Sequence, residues 1–260
     1  MKQHTKEAVA LVAYFILITA FVLYLQPGKV LGHFLYFFVP SIFLITRHWK
    51  REKHVILFTT LTAVAVGLVL ETVSHLNGNW KYEPDFPLIQ LGEMPMEAIL
   101  WYAMWIGLTV TIYRTFFDPH RHRIAKHHRP FYHHKYFLLV LFSIITTYFV
   151  ILSYRPELFI TDYSYAKFGG LIIVIPLFYL LHKHPDFIPR IFKFTLAMFS
   201  FTLVYEIVGM RVGWWTYGGN FLYQFNIFSN SISIEELVLW VILGAAFVAS
   251  FYEEYETDLR

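Results

Sequence analysis

The sequence predicts an all-α polytopic membrane protein of about eight transmembrane helices, built as two parallel four-helix repeats. Three observations lead there. The chain of 260 residues is 57% hydrophobic and only 15% charged, where soluble domains average about 25% charged residues. Its apolar residues gather into runs of membrane-crossing length, and one motif of glutamate, tryptophan and tyrosine occurs twice with the same internal spacing.

A transmembrane helix needs roughly 20 mostly apolar residues. Such runs cover approximately residues 8–26, 30–46, 54–76, 95–117, 136–154, 168–182, 191–210 and 232–252. A run in hydrocarbon must satisfy its own backbone hydrogen bonds, so helices are expected, and no strand-like alternation is visible. The first run follows the charged stretch Met1 to Glu7. It is too long for a secretory signal and no small-residue cleavage site follows it, so it is expected to remain as the first helix. The domain reading is therefore a first repeat over 1–117, a basic linker over 118–135 and a second repeat over 136–260.

Orientation follows from the basic residues in short loops. With the N-terminus cytoplasmic, sixteen of the 21 Lys and Arg residues fall on the inner side, leaving Lys29, Lys81, Arg155, Lys167 and Arg211 outside. Both termini are thus expected in the cytoplasm, and the location is the cell membrane.

The repeat rests on Glu71, Val73, Gly78, Trp80 and Tyr82, matched by Glu206, Val208, Gly213, Trp215 and Tyr217 in the pattern E-x-V-x4-G-x-W-x-Y. Pro40 and Pro176 correspond at nearly the same offset and are expected to kink their helices. Each tryptophan loop leads into an acidic helix start, Pro95-Met96-Glu97 or Ser233-Ile234-Glu235-Glu236. Four spans per copy make the copies parallel, which gathers five glutamates on the outer side.

Ionisable residues at the edge of a span are costly, and point to function by default. Glu71, Glu97, Glu206, Glu235 and Glu236 are the candidate catalytic residues. A desolvated carboxyl can stay protonated at neutral pH and serve as a general acid. Trp80, Tyr82, Trp215 and Tyr217 are the candidate substrate-binding residues, since aromatic faces stabilise a developing cation. The plainer alternatives are helix caps, or pairing with Arg211 or Lys81, for the glutamates, and an interfacial belt for the aromatics. Trp101, Trp105 and Trp240 are read as belt residues, and His33 and His75 as helix-to-helix hydrogen-bonding groups.

At these residues the chain resembles the small integral-membrane lycopene cyclases of carotenoid biosynthesis, which occur as two short subunits or one fused chain. That family carries in each half an acidic residue, a W-x-Y or W-x-F loop and a P-x-E-E motif. Here the first copy has Ala98 in place of the second glutamate, and the second copy has Ser233 in place of the proline. Glu71 and Glu206 stand where aspartate is commoner, and four spans per half replace about three. The resemblance implies a proton-initiated, redox-neutral cyclisation of a lipophilic isoprenoid. It matches Glu97 and Glu235 to the family's acid, with Glu236, Glu71 or Glu206 as partners. The alternatives are a transporter or lipid-handling protein, and a non-catalytic homologue of the cyclase fold.

No cofactor is expected. The chain has no cysteine, which removes thiolate metal sites and covalent haem, and no Gly-rich nucleotide loop occurs. The linker holds six of the thirteen histidines, at positions 120, 122, 127, 128, 133 and 134. Its basic character fits anionic headgroups, at about 1 kcal/mol per basic residue, better than a metal, and no nucleic-acid partner is implied. The C-terminal Glu253 to Asp258 stretch is read as a solvated tail.

Overall fold

The computed structural model describes residues 3–48, 53–86, 90–91, 94–118, 131–228 and 230–257. Most of the linker, with His120, His122, His127 and His128, lies outside the described residues. Eight long helices make up most of what is described: α1 (Gln3–Leu25), α2 over residues 29–48, α3 (Lys53–Leu76), α4 (Met96–Phe116), α5 (Phe131–Tyr154), α6 over 164–183, α7 (Ile188–Arg211) and α8 over 236–257. Among them α1, α2, α6, α7 and α8 are long and apolar enough to cross a membrane. The large apolar side chains Leu17, Phe178 and Phe192 point outward. A mostly helical membrane protein is thus what the composition produces.

Among the described residues six short strands pair antiparallel in the loops. β1 (Trp80–Lys81) pairs with β4 (Thr216–Tyr217), β2 (Gln90–Leu91) with β3 (Met94–Pro95), and β5 (Gln224–Ile227) with β6 (Asn230–Ser233). The sequence reading misses them because two to four residues are too few to display a period of two.

The centre of the bundle is the α4–α8 pair. Trp240 of α8 packs on Trp105 of α4 with ring centroids 4.1 Å apart, and on Trp101 at 4.8 Å. The span of α8 is 72% buried, whereas that of α1 is 17% buried. This makes α8 the core helix and leaves α1 at the periphery, where it packs on α7. Trp101, Trp105 and Trp240 therefore do not form the interfacial belt read from the sequence. Their rings are large enough to fill the gap between two central helices, and that packing is stronger than a headgroup preference.

The prolines act through helix widening. A π-helical turn over Phe34–Phe38 precedes Pro40, and another over Gly170–Val174 precedes Pro176. Proline lacks an N–H and crowds the carbonyl four residues back, so the longer π ring relieves the conflict. A third π segment, Glu236–Ile242, opens α8 without any proline.

Helices α3 and α7 end identically. Gly78 and Gly213 take φ of +61° and +77°, the left-handed conformation that glycine enters without strain. Gly78 N–H then donates to His75 O at 3.1 Å and Asn79 N–H to Ser74 O at 2.9 Å. Gly213 N–H donates to Met210 O at 3.2 Å and Trp214 N–H to Gly209 O at 2.9 Å. This is the Schellman pattern. It reverses the chain so that each W-x-Y strand runs back over the helix it has just left. A Cβ at Gly213 would meet nothing within 4 Å, so a Gly213→Ala substitution isolates backbone strain of roughly 1–2 kcal/mol. The expected result is a melting temperature lower by about 2–8 °C, read from unfolding of purified protein. An unchanged melting temperature would show that the turn relaxes without the left-handed residue.

At the far end of the α4–α8 pair, Tyr113 hydrogen-bonds the Glu253 carboxyl, which also accepts from Arg190 Nη1 at 2.9 Å. Glu254 pairs with Lys183 and lies 2.7 Å from His184 Nε2. Glu253 is buried, so the solvated-tail reading is corrected for these residues. Basic groups on the α6–α7 connection draw the acidic helix end inward, a contact between segments more than 60 residues apart that local composition cannot display.

Candidate functional site

The reversed W-x-Y strands return their aromatics to the glutamates that precede them. Tyr82 donates its hydroxyl to Glu71 Oε1 at 2.7 Å, and Trp80 Nε1–H donates to the same oxygen at 3.1 Å. In the second motif Tyr217 donates to Glu206 Oε2 at 2.9 Å, and Trp215 also hydrogen-bonds Glu206. The two strands meet each other: Trp80 pairs with Tyr217, and Lys81 with Thr216, its own counterpart in the second copy. Burial, then the adjoining Glu71 carboxyl, pushes the Tyr82 phenol above its ordinary range, and burial followed by Glu206 does the same to Tyr217. Both phenols therefore stay protonated and act as donors.

These side chains surround a small, partly open cavity of about 80 Å³. Glu71, Glu97, Glu206, Glu236, Trp80, Tyr82, Trp215 and Tyr217 all line it. Eight of the nine sequence candidates thus face one space. Trp101, Tyr102, Tyr165 and Trp240 complete its aromatic walls.

Glu235 does not line the cavity. It is buried at the head of α8, where its Oε1 accepts from Leu222 N–H at 2.5 Å. Glu97 makes the matching contact, its Oε2 accepting from the N–H groups of Asp85 and Phe86 at 2.9 and 3.2 Å. Both thus fasten the loop that precedes their helix. Glu97 also forms a buried ion pair with Lys29, so neither of the two residues matched to the family's acid is a free carboxyl in the cavity. Glu236 fits that role better. It is buried, its Oε2 has no hydrogen-bond partner among the described residues, and the hydroxyls of Tyr165 and Tyr217 lie against its carboxyl. The position matching Glu236 in the first motif is Ala98, also on the cavity wall. The cavity is consequently lopsided, with two acids from α7 and α8 on one side and a lysine–glutamate pair on the other.

Two cavity-lining residues are missing from the site candidates read from the sequence. Lys29 at the start of α2 has its ammonium 3.7 Å from the centre of the Tyr82 ring and donates to Glu83 O at 3.1 Å. Its signal was a lysine directly after Pro27-Gly28 at the head of an apolar run. His33, one turn on, has no partner for Nε2 among the described residues. The expected interhelical hydrogen bond is replaced by ring contacts with Trp101, Tyr205, Trp214 and Trp215. A close approach supports this packing. A Cβ on Gly32 would fall 2.1 Å from Trp214, and one on Gly209 the same distance from Trp215.

No family model, no curated protein and no solved structure matches this chain. Among the described residues no cluster of three or more histidine, aspartate or glutamate side chains is arranged to hold a metal.

Proposed function

We propose that this protein is a membrane-embedded isoprenoid cyclase of the lycopene-cyclase kind, acting by proton-initiated, redox-neutral carbocation cyclisation. The observation that carries the reading is the Glu236 carboxyl, unpartnered at Oε2 among the described residues, set in a tryptophan- and tyrosine-walled cavity beside Glu206. In the protonated form Glu236 delivers its proton to a terminal trisubstituted alkene. The next alkene attacks the tertiary cation, closing a six-membered ring and moving the charge into it. Glu206 removes a proton from an adjacent carbon, leaving a ring double bond. Substrate and product are isomers. Tyr217, which touches both carboxyls, links the pair, and proton exchange with solvent through the partly open cavity resets it before the next turnover. Cation–π attraction to the tryptophan faces contributes about 2 kcal/mol or more per desolvated contact.

The same reading takes all eight helices as spans, with both termini cytoplasmic and the two halves related by a two-fold axis along the membrane normal. A two-fold relation of the halves is supported by the Lys81–Thr216 pairing, which sets a residue against its own counterpart. Further support comes from helix contacts, α1 packing on α7 as α5 packs on α3. Reporter fusions should place residues 78–92 and 212–230 outside and residues 120–134 inside. An external signal from a fusion at position 125 would overturn the orientation.

Extracting lipids from cells that accumulate acyclic isoprenoid polyenes tests the activity. Expression of the protein should convert the polyene into a cyclic isomer of equal mass. An unchanged polyene pool in the presence of folded protein would contradict the proposal.

A further inference from the structure

The cyclisation chemistry leaves one buried amine unused, and we infer that Lys29 is a covalent capture site for isoprenoid aldehydes, holding them as a protonated imine. Four observations place this chemistry at Lys29. The side chain is 5% exposed, yet it lines the cavity. It is the one lysine or arginine among the cavity-lining residues, and at the offset of the paired prolines and π-helical turns its counterpart is Tyr165. Its partner is the Glu97 carboxylate, itself fixed by two backbone N–H groups. Beyond the amine stand the apolar and aromatic walls that would take a polyene chain.

The step balances without a co-reactant. An ammonium and an aldehyde give an iminium and one water: the nitrogen lone pair, freed by passing a proton to a neighbouring carboxylate, bonds the carbonyl carbon. The carbinolamine oxygen then leaves as water, taking up that proton and one from nitrogen during the overall exchange. The positive charge remains on the Lys29 nitrogen, so the buried ion pair with Glu97 survives and no new charge is buried. Of the ammonium's contacts, the one to Glu83 O is lost. Glu83 is exposed, so water can satisfy that carbonyl. The neighbouring Glu71 is placed to move protons during dehydration, as general acid–base groups do. An imine ligand anchored at Lys29 extends toward Trp101 and Trp240, along the same wall that the cyclisation reading uses. The capture itself is independent of ring closure.

The test uses purified full-length protein in detergent, incubated with farnesal and sodium cyanoborohydride, followed by intact mass and peptide mapping. The expected result is one reduced adduct per chain, carried by Lys29, and no adduct at that peptide in Lys29→Arg, which keeps the charge but cannot form the imine. Mapping of the wild-type protein decides the matter even if that variant does not fold. No adduct, or adducts spread over exposed lysines such as Lys81, would overturn the inference. Because the readout is a covalent mass and not a cyclic product, its failure leaves the cyclase proposal standing, and loss of cyclisation leaves the capture site standing.

Discussion

Glu236→Gln is expected to abolish formation of the cyclic product while leaving folding intact. Glutamine keeps the size of the side chain and a donor for its surroundings but has no proton to transfer. General acid catalysis contributes about 10² to 10⁴-fold, so turnover should fall by at least about a hundredfold in that range. Glu236 has an oxygen with no partner among the described residues, and no ion pair among them depends on it, so melting temperature should stay close to that of wild type. Glu235→Gln is the matched control. Glu235 fastens the loop at Leu222 and does not line the cavity, so its main effect should fall on stability. A loss of less than about tenfold in Glu236→Gln would be too small for general acid catalysis. The proton donor would then have to be another carboxyl of the cavity.

Removing the amine from the opposite wall should act on stability first. Lys29→Met leaves the Glu97 carboxylate buried with its cation gone, and breaking a buried pair from one side costs about 3–5 kcal/mol. For a chain of this size that corresponds to a fall of at least about 6 °C in melting temperature. The double variant Lys29→Met with Glu97→Gln removes both charges and should recover most of the loss, because an uncharged amide can still accept from Asp85 and Phe86 N–H. Thermal unfolding of the three variants in detergent measures this. If Lys29→Met melts within about 2 °C of wild type, the ammonium is not the partner that keeps Glu97 charged.

How much of this could be read from the residues depends on how far apart the interacting groups are. Glu71, Trp80 and Tyr82 lie within 11 residues of one another, and the fixed spacing and the glycine between them announce a helix end that folds back on itself. The duplicate in the second half then brings Glu206, Trp215 and Tyr217 into the same reading. Lys29 escapes because its partner Glu97 and its neighbour Glu83 come from a loop more than 50 residues away. In the charge pattern it was one more residue on the outer side. The choice among Glu97, Glu235 and Glu236 was not legible for a different reason. The acidic helix starts match by motif, but which glutamate turns into the cavity is set by local helix geometry, and Glu236 opens a π-helical segment that no sequence period reveals. Trp101 and Trp240 were legible as aromatic, not as central. Only the packing of α4 on α8 distinguishes a cavity wall from a headgroup anchor.

Carrying out the reaction in D₂O tests proton-initiated cyclisation most directly. Protein in membranes or detergent is supplied with an acyclic polyene, and the product is weighed by mass spectrometry. Each ring should carry one deuterium on the carbon that accepts the proton from Glu236, so that the product is heavier than the substrate by one mass unit per ring. A cyclic product formed in D₂O with no deuterium would contradict protonation by an exchangeable carboxyl, and with it the role given to this cavity.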